Sequence, residues 1–319
     1  MRIGFIMDPL ETVNTEKDTT YVLMCEAFSR GHEVVYLPPG GIGYWQNKVV
    51  LRGVRVEAHR NPEHPFKVLG RETLAGEDFD AILIRTDPPF NQEYLYITLL
   101  ADHLPRNVFV MNHPAGIRDI NEKMGSLYFP DLIPRTVITQ CVEDLDDFLE
   151  EIGGPIVLKP LDGHGGKGIV LIRKDDVNRR TLMSMMTKDG TQKVLTQEFL
   201  EATYDGDKRI ILLEGEPLGA ILRKAQPPNY INNLMAGGKA YPATITKEDK
   251  KICDRLSRLL QERGLYLTGI DIIGQKLMEI NVTSPTCVQE INRFNNVCLE
   301  KDIIDFVERK VSERQAMFQ

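Results

Sequence analysis

The chain has 319 residues, of which 42% are hydrophobic and 27% charged, a composition typical of globular proteins that excludes disordered and fibrous architectures. Its 39 basic and 46 acidic residues give a net charge of −7, without the basic run that a nucleic-acid-binding face requires. No apolar stretch approaches the roughly 20 residues that span a bilayer, so we expect neither nucleic acid nor membrane as a partner.

The sequence also bears on the compartment in which the protein works. An acid and a proline, Asp8 and Pro9, follow the first residues too soon for a secretory signal. The five cysteines are an odd number, and no two are spaced as CxxC. This usage favours reduced thiols over a disulfide framework or a zinc site, and it predicts a cytoplasmic protein.

The first third of the chain alternates predicted strands with predicted helices. Strands are predicted at 2–7, 32–37, 79–85 and 108–112, with a pair of short strands in 48–59, and helices at 21–30 and 93–104. The consecutive aliphatic residues 82–84 are typical of a strand buried on both faces. Strands separated by helices imply a parallel sheet covered by helices, which is a Rossmann-like arrangement.

The remainder of the chain predicts hairpins with interspersed helices. Helices are predicted at 142–151, 175–187, 246–263 and 302–314, strands at 155–160, 168–173 and 193–200, and hairpins at 209–214 with 217–223 and at 267–273 with 276–281. This succession indicates an α+β unit built on antiparallel sheets. Residues 227–245 lack clear periodicity and are predicted to form a mobile lid.

A glycine-rich loop is the first candidate functional motif. Glycines at 163, 165, 166 and 168 separate two predicted strands. A dinucleotide site would need a helix after the loop, whereas backbone N–H groups of a glycine hairpin can close over phosphate oxygens. Lys159 precedes the loop by one strand length and can direct a positive charge to the same phosphates. The alternative is a flexible turn beside a surface lysine.

Oxygen-bearing side chains near the C-terminus form the second motif. Glu279 and Asn281 alternate along a strand and therefore share one face, and Asp271 on the partner strand can share it too. Two carboxylates and an amide are the hard oxygen ligands that Mg²⁺ prefers. The alternative is a solvated strand face that happens to carry these residues.

Two arginines form the third motif. Arg209 lies at the start of one predicted hairpin strand and Arg223 at the end of its partner. Guanidinium groups that converge from adjacent strands make a fork for a carboxylate or a phosphate. Surface arginines on strands are common, so this motif by itself is weak.

Together these motifs resemble the ATP-grasp ligases, and nearly the whole chain resembles the bacterial glutathione synthetases. The resemblance to ATP-grasp ligases rests on Lys159-Pro-Leu-Asp-Gly-x-Gly-Gly, Gly206-Asp-Lys-Arg209 and Glu279-Ile-Asn-Val-Thr-Ser-Pro-Thr286. The resemblance to the synthetases rests in addition on three N-terminal motifs: Met7-Asp8-Pro9, Arg85-Thr-Asp87-Pro-Pro-Phe90 and Arg118-Asp-x-Asn-Glu-Lys123. It implies an ATP-grasp fold, α/β plus α+β, with an N-terminal Rossmann-like domain at 1–120, a central lid subdomain with the glycine loop at 121–195 and a C-terminal catalytic subdomain at 196–319.

The resemblance also implies a role for each matching residue. ATP would be bound by Lys123, Lys159, Gly163, Gly165, Gly166, Gly168, Gln197, Glu198, Phe199, Leu200, Asp207, Gly237 and Gly238. Asp271, Glu279 and Asn281 would hold Mg²⁺, with Mn²⁺ as a substitute. The peptide substrate would contact Arg85, Asp87, Arg209, Arg223 and Ser284, of which Arg209 and Arg223 would be catalytic.

The activity that the resemblance implies is an ATP-dependent ligation through an acylphosphate, joining γ-L-glutamyl-L-cysteine to glycine in a dimer or tetramer. Two positions depart from the family pattern. Ile231 stands where an arginine is usual, and Thr86 where a lysine is common. These departures leave two alternatives: an ATP-grasp peptide ligase with a different amino-acid acceptor, and a non-catalytic ATP-binding regulatory protein.

Overall fold

The computed structural model describes residues 1–226 and 229–318, which form three sheets. The first sheet contains β1 (Arg2–Ile6), β2 (Glu33–Leu37), β3 (Ile42–Trp45), β4 (Lys48–Ala58), β5 (Phe66–Ala75), β6 (Ala81–Ile84) and β7 (Phe109–Met111). Strands β2, β1, β6 and β7 are neighbours and run parallel, which confirms the Rossmann-like arrangement. The helices of this part are α1 (Thr19–Ser29), α2 (Gln92–Ala101) and α3 (Pro114–Asp119).

One strand prediction in this sheet was wrong. Residues 48–59 do not form a pair of short strands, because β4 continues through Gly53 and pairs with β3, β2 and β5. Gly53 allows a close approach to β2: a Cβ there would lie 2.7 Å from the Tyr36 carbonyl oxygen. Strands β3 and β5 were not predicted, since Ile42 is the only buried residue in them and they therefore produce no buried apolar pattern.

The second sheet has the order β10-β9-β11-β8 and is antiparallel throughout. Its strands are β8 (Thr136–Thr139), β9 (Ile156–Pro160), β10 (Val170–Ile172) and β11 (Val194–Glu198), and its helices are α4 (Val142–Ile152) and α5 (Arg179–Met186). Leu145, Leu149, Leu158 and Met183 belong to an apolar core of its own. The glycine loop connects β9 to β10, as the sequence predicts.

The third sheet has the order β14-β13-β12-β15-β16. Its strands are β12 (Asp207–Leu213), β13 (Glu216–Lys224), β14 (Lys239–Pro242), β15 (Leu267–Ile273) and β16 (Lys276–Asn281). Both predicted hairpins are confirmed. Within the segment predicted as a lid, β14 pairs with β13, while Pro227 and Pro228 lie outside the described residues.

Three helices complete the C-terminal part: α6 (Lys247–Glu262), α7 (Val288–Asn295) and α8 (Leu299–Phe318). Helix α8 is longer than predicted and packs against α1 and β7 through buried residues such as Ile303, Phe306 and Val307. The first and third sheets share continuous cores, in which Ile82 and Ile270 belong to one cluster. Among the residues described here, no helix is long and apolar enough to cross a membrane.

Candidate functional site

A cleft of about 900 Å³ lies between the second and third sheets. Its walls include most of the residues predicted to bind ATP or metal: Lys123, Lys159, Gly163, Gly165, Gly166, Gln197, Glu198, Phe199, Leu200, Asp207, Asp271 and Glu279. They also include Arg223, which was predicted to contact the peptide substrate. The lining does not include Gly168, Arg209, Gly237, Gly238, Asn281, Arg85, Asp87 or Ser284. The fold therefore gathers side chains from three distant parts of the sequence into one site.

The third sheet carries a group of charged side chains where it borders the cleft. The strand register pairs Arg223 with Asp207, Arg209 with Asp271, and Asp271 with Glu279. Directly paired residues of antiparallel strands project from the same face. The shared face predicted for Asp271 and Glu279 is thus present in the structure, and Asn281 lies on it opposite Gly269.

Asp271 is the centre of a buried ion-pair network. Its Oδ2 atom lies 2.9 Å from Nη2 of Arg209 and 2.9 Å from Nη2 of Arg223. Burial by itself raises the pKa of this carboxyl, but the two guanidinium groups outweigh burial and hold the pKa well below its usual range. Asp271 is therefore ionised at neutral pH, as a metal ligand must be.

Asp207 differs from Asp271 although it lies on the same face. Burial raises the pKa of Asp207 to about 6, and the ion pair with Arg223 opposes that shift only in part. Its Oδ1 atom and Nε of Arg223 are buried and have no hydrogen-bond partner within the described residues. Unpaired polar atoms on a cleft wall indicate that a polar ligand belongs there.

The acid and amide groups fit a divalent cation by their chemistry. Glu279 is partly exposed, and its Oε1 lies 3.7 Å from Nζ of Lys123. Asn281 donates to the Gly269 carbonyl at 3.2 Å, which orients its side chain beside the two carboxylates. Asp271, Glu279 and Asn281 thus lie on one sheet face. Carboxylate and amide oxygens are the ligand types that Mg²⁺ prefers.

Cations and a glycine backbone surround the other side of the cleft. Gly165, Gly166 and Gly168 have φ values of +64°, +82° and +74°, a region that favours glycine and turns the loop over the cleft. Lys123 is buried and donates to the Gly163 carbonyl. Lys159 is buried too; burial lowers its pKa, and its Nζ donates to Oε1 of Gln197 at 3.0 Å. Together with Arg223, the two lysines give the cleft three buried cations, and Lys and Arg are the side chains that commonly bind phosphate groups.

An apolar end of the cleft suits a planar base. Phe199 lies there with its ring 6.4 Å from that of Tyr230 and nearly perpendicular to it. Val157, Ile169 and Met278 complete the apolar wall. The Glu198 carboxylate accepts a hydrogen bond from the Arg135 backbone N–H at 3.0 Å, which anchors the strand end beside Phe199. Tyr230 was missed by sequence reasoning, because nothing in its local sequence signals this position.

The segment after residue 228 packs over the glycine loop. A Cβ placed on Gly166 would lie 2.5 Å from Cγ2 of Ile231, and one on Gly165 would lie 3.2 Å from Sδ of Met235. Gly237 has a φ of +92° and lies with Gly238 in the turn that follows, where the backbone of Gly238 passes close to the Asn232 carbonyl. Gly237 and Gly238 therefore shape this segment instead of lining the cleft.

Three of the five residues predicted to contact the peptide substrate, Arg85, Asp87 and Ser284, lie where the loop after β16 meets the first sheet, whereas Arg209 and Arg223 lie on the third sheet. Arg85 is buried and donates to the Pro285 carbonyl at 2.9 Å and to Thr20 Oγ1 at 3.1 Å. Burial lowers the pKa of the Arg85 guanidinium. Ser284 is buried next to Pro285, whereas Asp87 is exposed. Arg85 thus holds the loop after β16 against the N-terminal sheet.

Sequence reasoning missed two residues that position the site. Glu122 Oε1 accepts hydrogen bonds from the backbone N–H of Val282 at 3.0 Å and of Thr283 at 3.1 Å, and from the Thr283 hydroxyl at 2.7 Å. Asn112, directly after β7, makes three side-chain hydrogen bonds to Leu267 at the start of β15 and to Val282 directly after β16. The motif ending at Lys123 includes Glu122, which was the available signal for that residue.

Comparison with known proteins gives a consistent result along the whole chain. The family model for the prokaryotic glutathione synthetase N-terminal domain matches residues 1–118, and that for the prokaryotic glutathione synthetase ATP-grasp domain matches residues 122–296. A glutathione synthetase from Gloeobacter violaceus is 39% identical over 96% of both chains, and one from Vibrio cholerae is 35% identical over 98% of both. The solved structure of D-cycloserine synthetase DcsG has a TM-score of 0.66 at 14% identity, covering 98% of this chain and 100% of its own, which shows a shared fold.

Proposed function

This chain belongs to the prokaryotic glutathione synthetase family, and on that premise we propose that it joins γ-L-glutamyl-L-cysteine to glycine while ATP is converted to ADP and phosphate. The observation that carries the proposal is the cleft itself. Three buried cations, Lys123, Lys159 and Arg223, line the cleft together with a glycine loop and the acids of the third sheet. Phosphoryl transfer requires such groups, because it depends on alignment of the reacting groups and on stabilisation of the charge on the transferred phosphoryl group.

In this proposal each binding residue has a role that fits its position in the cleft. Lys123, Lys159 and the glycine loop hold the phosphates, and the apolar end beside Phe199 receives the adenine. Asp271, Glu279 and Asn281 would hold Mg²⁺ or Mn²⁺, which when bound supplies charge neutralisation at the phosphates.

The reaction proceeds in two steps in this proposal. The cysteinyl carboxylate of the dipeptide attacks the γ-phosphorus of ATP, which forms an acylphosphate and releases ADP. The glycine amine then displaces phosphate and forms the amide bond. Arg223 lines the cleft and stabilises negative charge that develops on the transferred group, while Arg209 fixes Asp271.

Exclusion of water protects the activated carboxyl, because acylphosphates hydrolyse. The contact of Ile231 with Gly166 brings the segment after residue 228 onto the glycine loop. An apolar side chain at this contact excludes water without placing a charge near the acylphosphate.

We also propose domain boundaries at 120 and 195, a homo-oligomer of two or four chains, and a cytoplasmic location. The first boundary is supported by the division of the two family matches between residues 118 and 122. The separate apolar core of the second sheet supports a unit of its own. The oligomeric state and the location rest on the resemblance and on the cysteine usage.

The test is a product assay with the purified full chain, ATP, Mg²⁺, γ-glutamylcysteine and glycine. We expect ADP release to match glutathione formation measured by mass spectrometry, and chelation of the metal to stop both. Turnover with another amino acid but not with glycine would instead indicate a different peptide ligase. Bound ATP without ADP production for any substrate pair would indicate a regulatory protein.

A further inference from the structure

Tyr230 gives the nucleotide cleft a second aromatic wall. It lines the same cavity as Phe199, which borders the apolar end of the cleft. The two ring centroids lie 6.4 Å apart and the ring planes meet at 86°, so the two rings form a corner. A planar base that lies flat on one ring of such a corner presents its edge to the other ring, and aromatic groups favour both offset-stacked and edge-to-face contacts.

The hydroxyl of Tyr230 holds its ring in this position. The backbone N–H of Leu171 donates a hydrogen bond to the hydroxyl oxygen at 3.2 Å. Leu171 lies on β10, the edge strand of the second sheet. The outer N–H groups of an edge strand are free to pair with other parts of a protein. This hydrogen bond therefore links the segment after residue 228 to the sheet that carries the glycine loop.

The neighbours of Tyr230 fix its backbone as well. The side-chain oxygen of Asn229 accepts hydrogen bonds from the backbone N–H of Tyr230 at 2.8 Å and of Ile231 at 3.0 Å. Ile231, which departs from the family pattern, meets the glycine loop at Gly166. Adjacent residues thus hold this segment on β10 and on the glycine loop. A ring that is already fixed loses little conformational entropy when it binds a ligand.

We propose that Tyr230 is a contact residue for the base of the bound nucleotide and favours adenine nucleotides over polyphosphates that carry no base. The inference rests on the proposed function, which assigns ATP to this cleft. In that proposal Lys123, Lys159 and the glycine loop hold the phosphates. The contribution of the Tyr230 ring is therefore to the binding of the base and not to the binding of the triphosphate.

Tyr204 provides a matched control for this role. Its ring lies 5.6 Å from that of Phe199, but Tyr204 is exposed and is not among the described residues that line the cleft. Tyr204→Ala therefore removes a contact from Phe199 without removing surface from the cleft. If Tyr230 acted only through its packing against Phe199, the Tyr204 and Tyr230 variants would bind nucleotide equally weakly.

The test measures binding by calorimetry in the presence of Mg²⁺, with a non-hydrolysable ATP analogue and with inorganic tripolyphosphate as probes. Tyr230→Ala should weaken binding of the analogue by about tenfold, the order of effect that loss of one contact between a base and an aromatic ring produces. Its affinity for tripolyphosphate should stay within about twofold of wild type, because this probe carries no base. Tyr204→Ala should keep both affinities within about twofold.

A conservative variant separates the ring from its hydroxyl. Tyr230→Phe keeps the aromatic surface but loses the hydrogen bond from Leu171. We expect it to weaken binding of the analogue by about threefold, as is usual for one lost hydrogen bond. Should Tyr230→Ala fail to fold, Tyr230→Leu takes its place with the same expected results.

An unchanged affinity of Tyr230→Ala for the analogue, or a loss that Tyr204→Ala matches, would overturn the proposal. Equal losses of analogue and tripolyphosphate binding in Tyr230→Ala would overturn it too, because the residue would then act on the glycine loop and the phosphates. A wild-type protein that binds neither probe would overturn the proposed function and this inference with it. The other results overturn the inference alone, so the two failures are distinguishable.

Discussion

Arg209 on β12 and Asp271 on β15 lie opposite each other in register and form a buried ion pair, with Nη2 2.9 Å from Oδ2. Arg223 reaches the same carboxylate oxygen at 2.9 Å. The acid proposed as a metal ligand is therefore also the counter-ion of two buried guanidinium groups. Glu279, the other acid, contributes less to the stability of the fold, since its side chain is 23% exposed.

This difference predicts that Asp271→Ala and Glu279→Ala both lose activity but differ in their free energy of unfolding. Asp271→Ala should lower the free energy of unfolding by about 3–5 kcal/mol, because it leaves two buried cations uncompensated. Glu279→Ala should lower it by less than about 1 kcal/mol, as expected for a partly exposed side chain. Urea unfolding with a turnover assay measures both effects. Equal stability of the two variants, or near-normal activity of Glu279→Ala, would contradict the assignment.

Asn112 should be important for the attachment of the first sheet to the third. Its side chain donates to the carbonyls of Leu267 and Val282 at 2.8 Å and accepts from the Leu267 N–H at 2.8 Å. Asn112→Ala leaves these groups unpaired in the core, and each such group costs about 1–3 kcal/mol. We expect a clear loss of unfolding free energy against the exposed control Asn107→Ala. A loss no larger than that of the control would show that water replaces the side chain.

Gly166 should be intolerant of a side chain. Its φ of +82° disfavours an L side chain, and a Cβ would lie 2.5 Å from Cγ2 of Ile231. Gly166→Ala should therefore raise the KM for ATP and increase the fraction of ADP released without amide product. Gly70→Ala is the control, because a Cβ there meets nothing within 4 Å. Adding Ile231→Ala to Gly166→Ala should restore part of the coupling between ADP release and amide formation. If the double variant shows no restoration, the effect of Gly166→Ala comes from the backbone conformation alone and not from the contact with Ile231.

Ile231 itself provides a test of acceptor binding. Ile231→Arg introduces the cation that the family usually carries in this segment, at the contact with the glycine loop. We expect the KM for glycine to change, because a cation there can attract the acceptor carboxylate. Steady-state kinetics with glycine varied measure the effect, and Ile231→Met is the uncharged control. Identical glycine kinetics in wild type and Ile231→Arg would show that this segment does not contribute to glycine binding.

Glu122 should act as a positioning residue for the loop after β16. One of its carboxylate oxygens accepts hydrogen bonds from the Val282 N–H and from two groups of Thr283. Glu122→Gln weakens these charge-assisted bonds, so kcat should fall by about tenfold, equivalent to one such bond. Binding of the ATP analogue should be retained, and exposed Glu93→Gln serves as the control. An unchanged kcat would show that the loop keeps its position without the charge.

The cysteines should divide into two classes by reactivity. Cys141 and Cys298 are exposed, whereas Cys25, Cys253 and Cys287 are buried. Burial raises the pKa of the Cys25 thiol to about 11 and that of Cys253 to about 12, so both remain protonated and unreactive at about pH 8, near the usual pKa of a free thiol. A thiol reagent should label two groups rapidly in the native chain and the remainder after denaturation. Rapid labelling that persists in the double variant Cys141→Ser with Cys298→Ser would contradict this division.

The sequence by itself determined those parts of the protein that depend on local geometry. Two strand-like runs that flank a Gly-Gln turn predicted the hairpin of β15 and β16 with correct bounds. The alternation of side chains along a strand placed Glu279 and Asn281 on one face, because side-chain direction along a strand is a property of the backbone. The glycine spacing at 163–168 likewise predicted a loop between two strands.

The tertiary structure alone decided which charges meet and which side chains become inaccessible. The two arginines predicted as a fork for substrate are bound to Asp271, and Arg85 is bound to the Pro285 carbonyl. Asn112 and Leu267 are separated by 155 residues along the chain. Such contacts depend on how distant segments pack and on how strongly that packing desolvates each polar group. A local pattern of residues contains no information about either the packing or the desolvation.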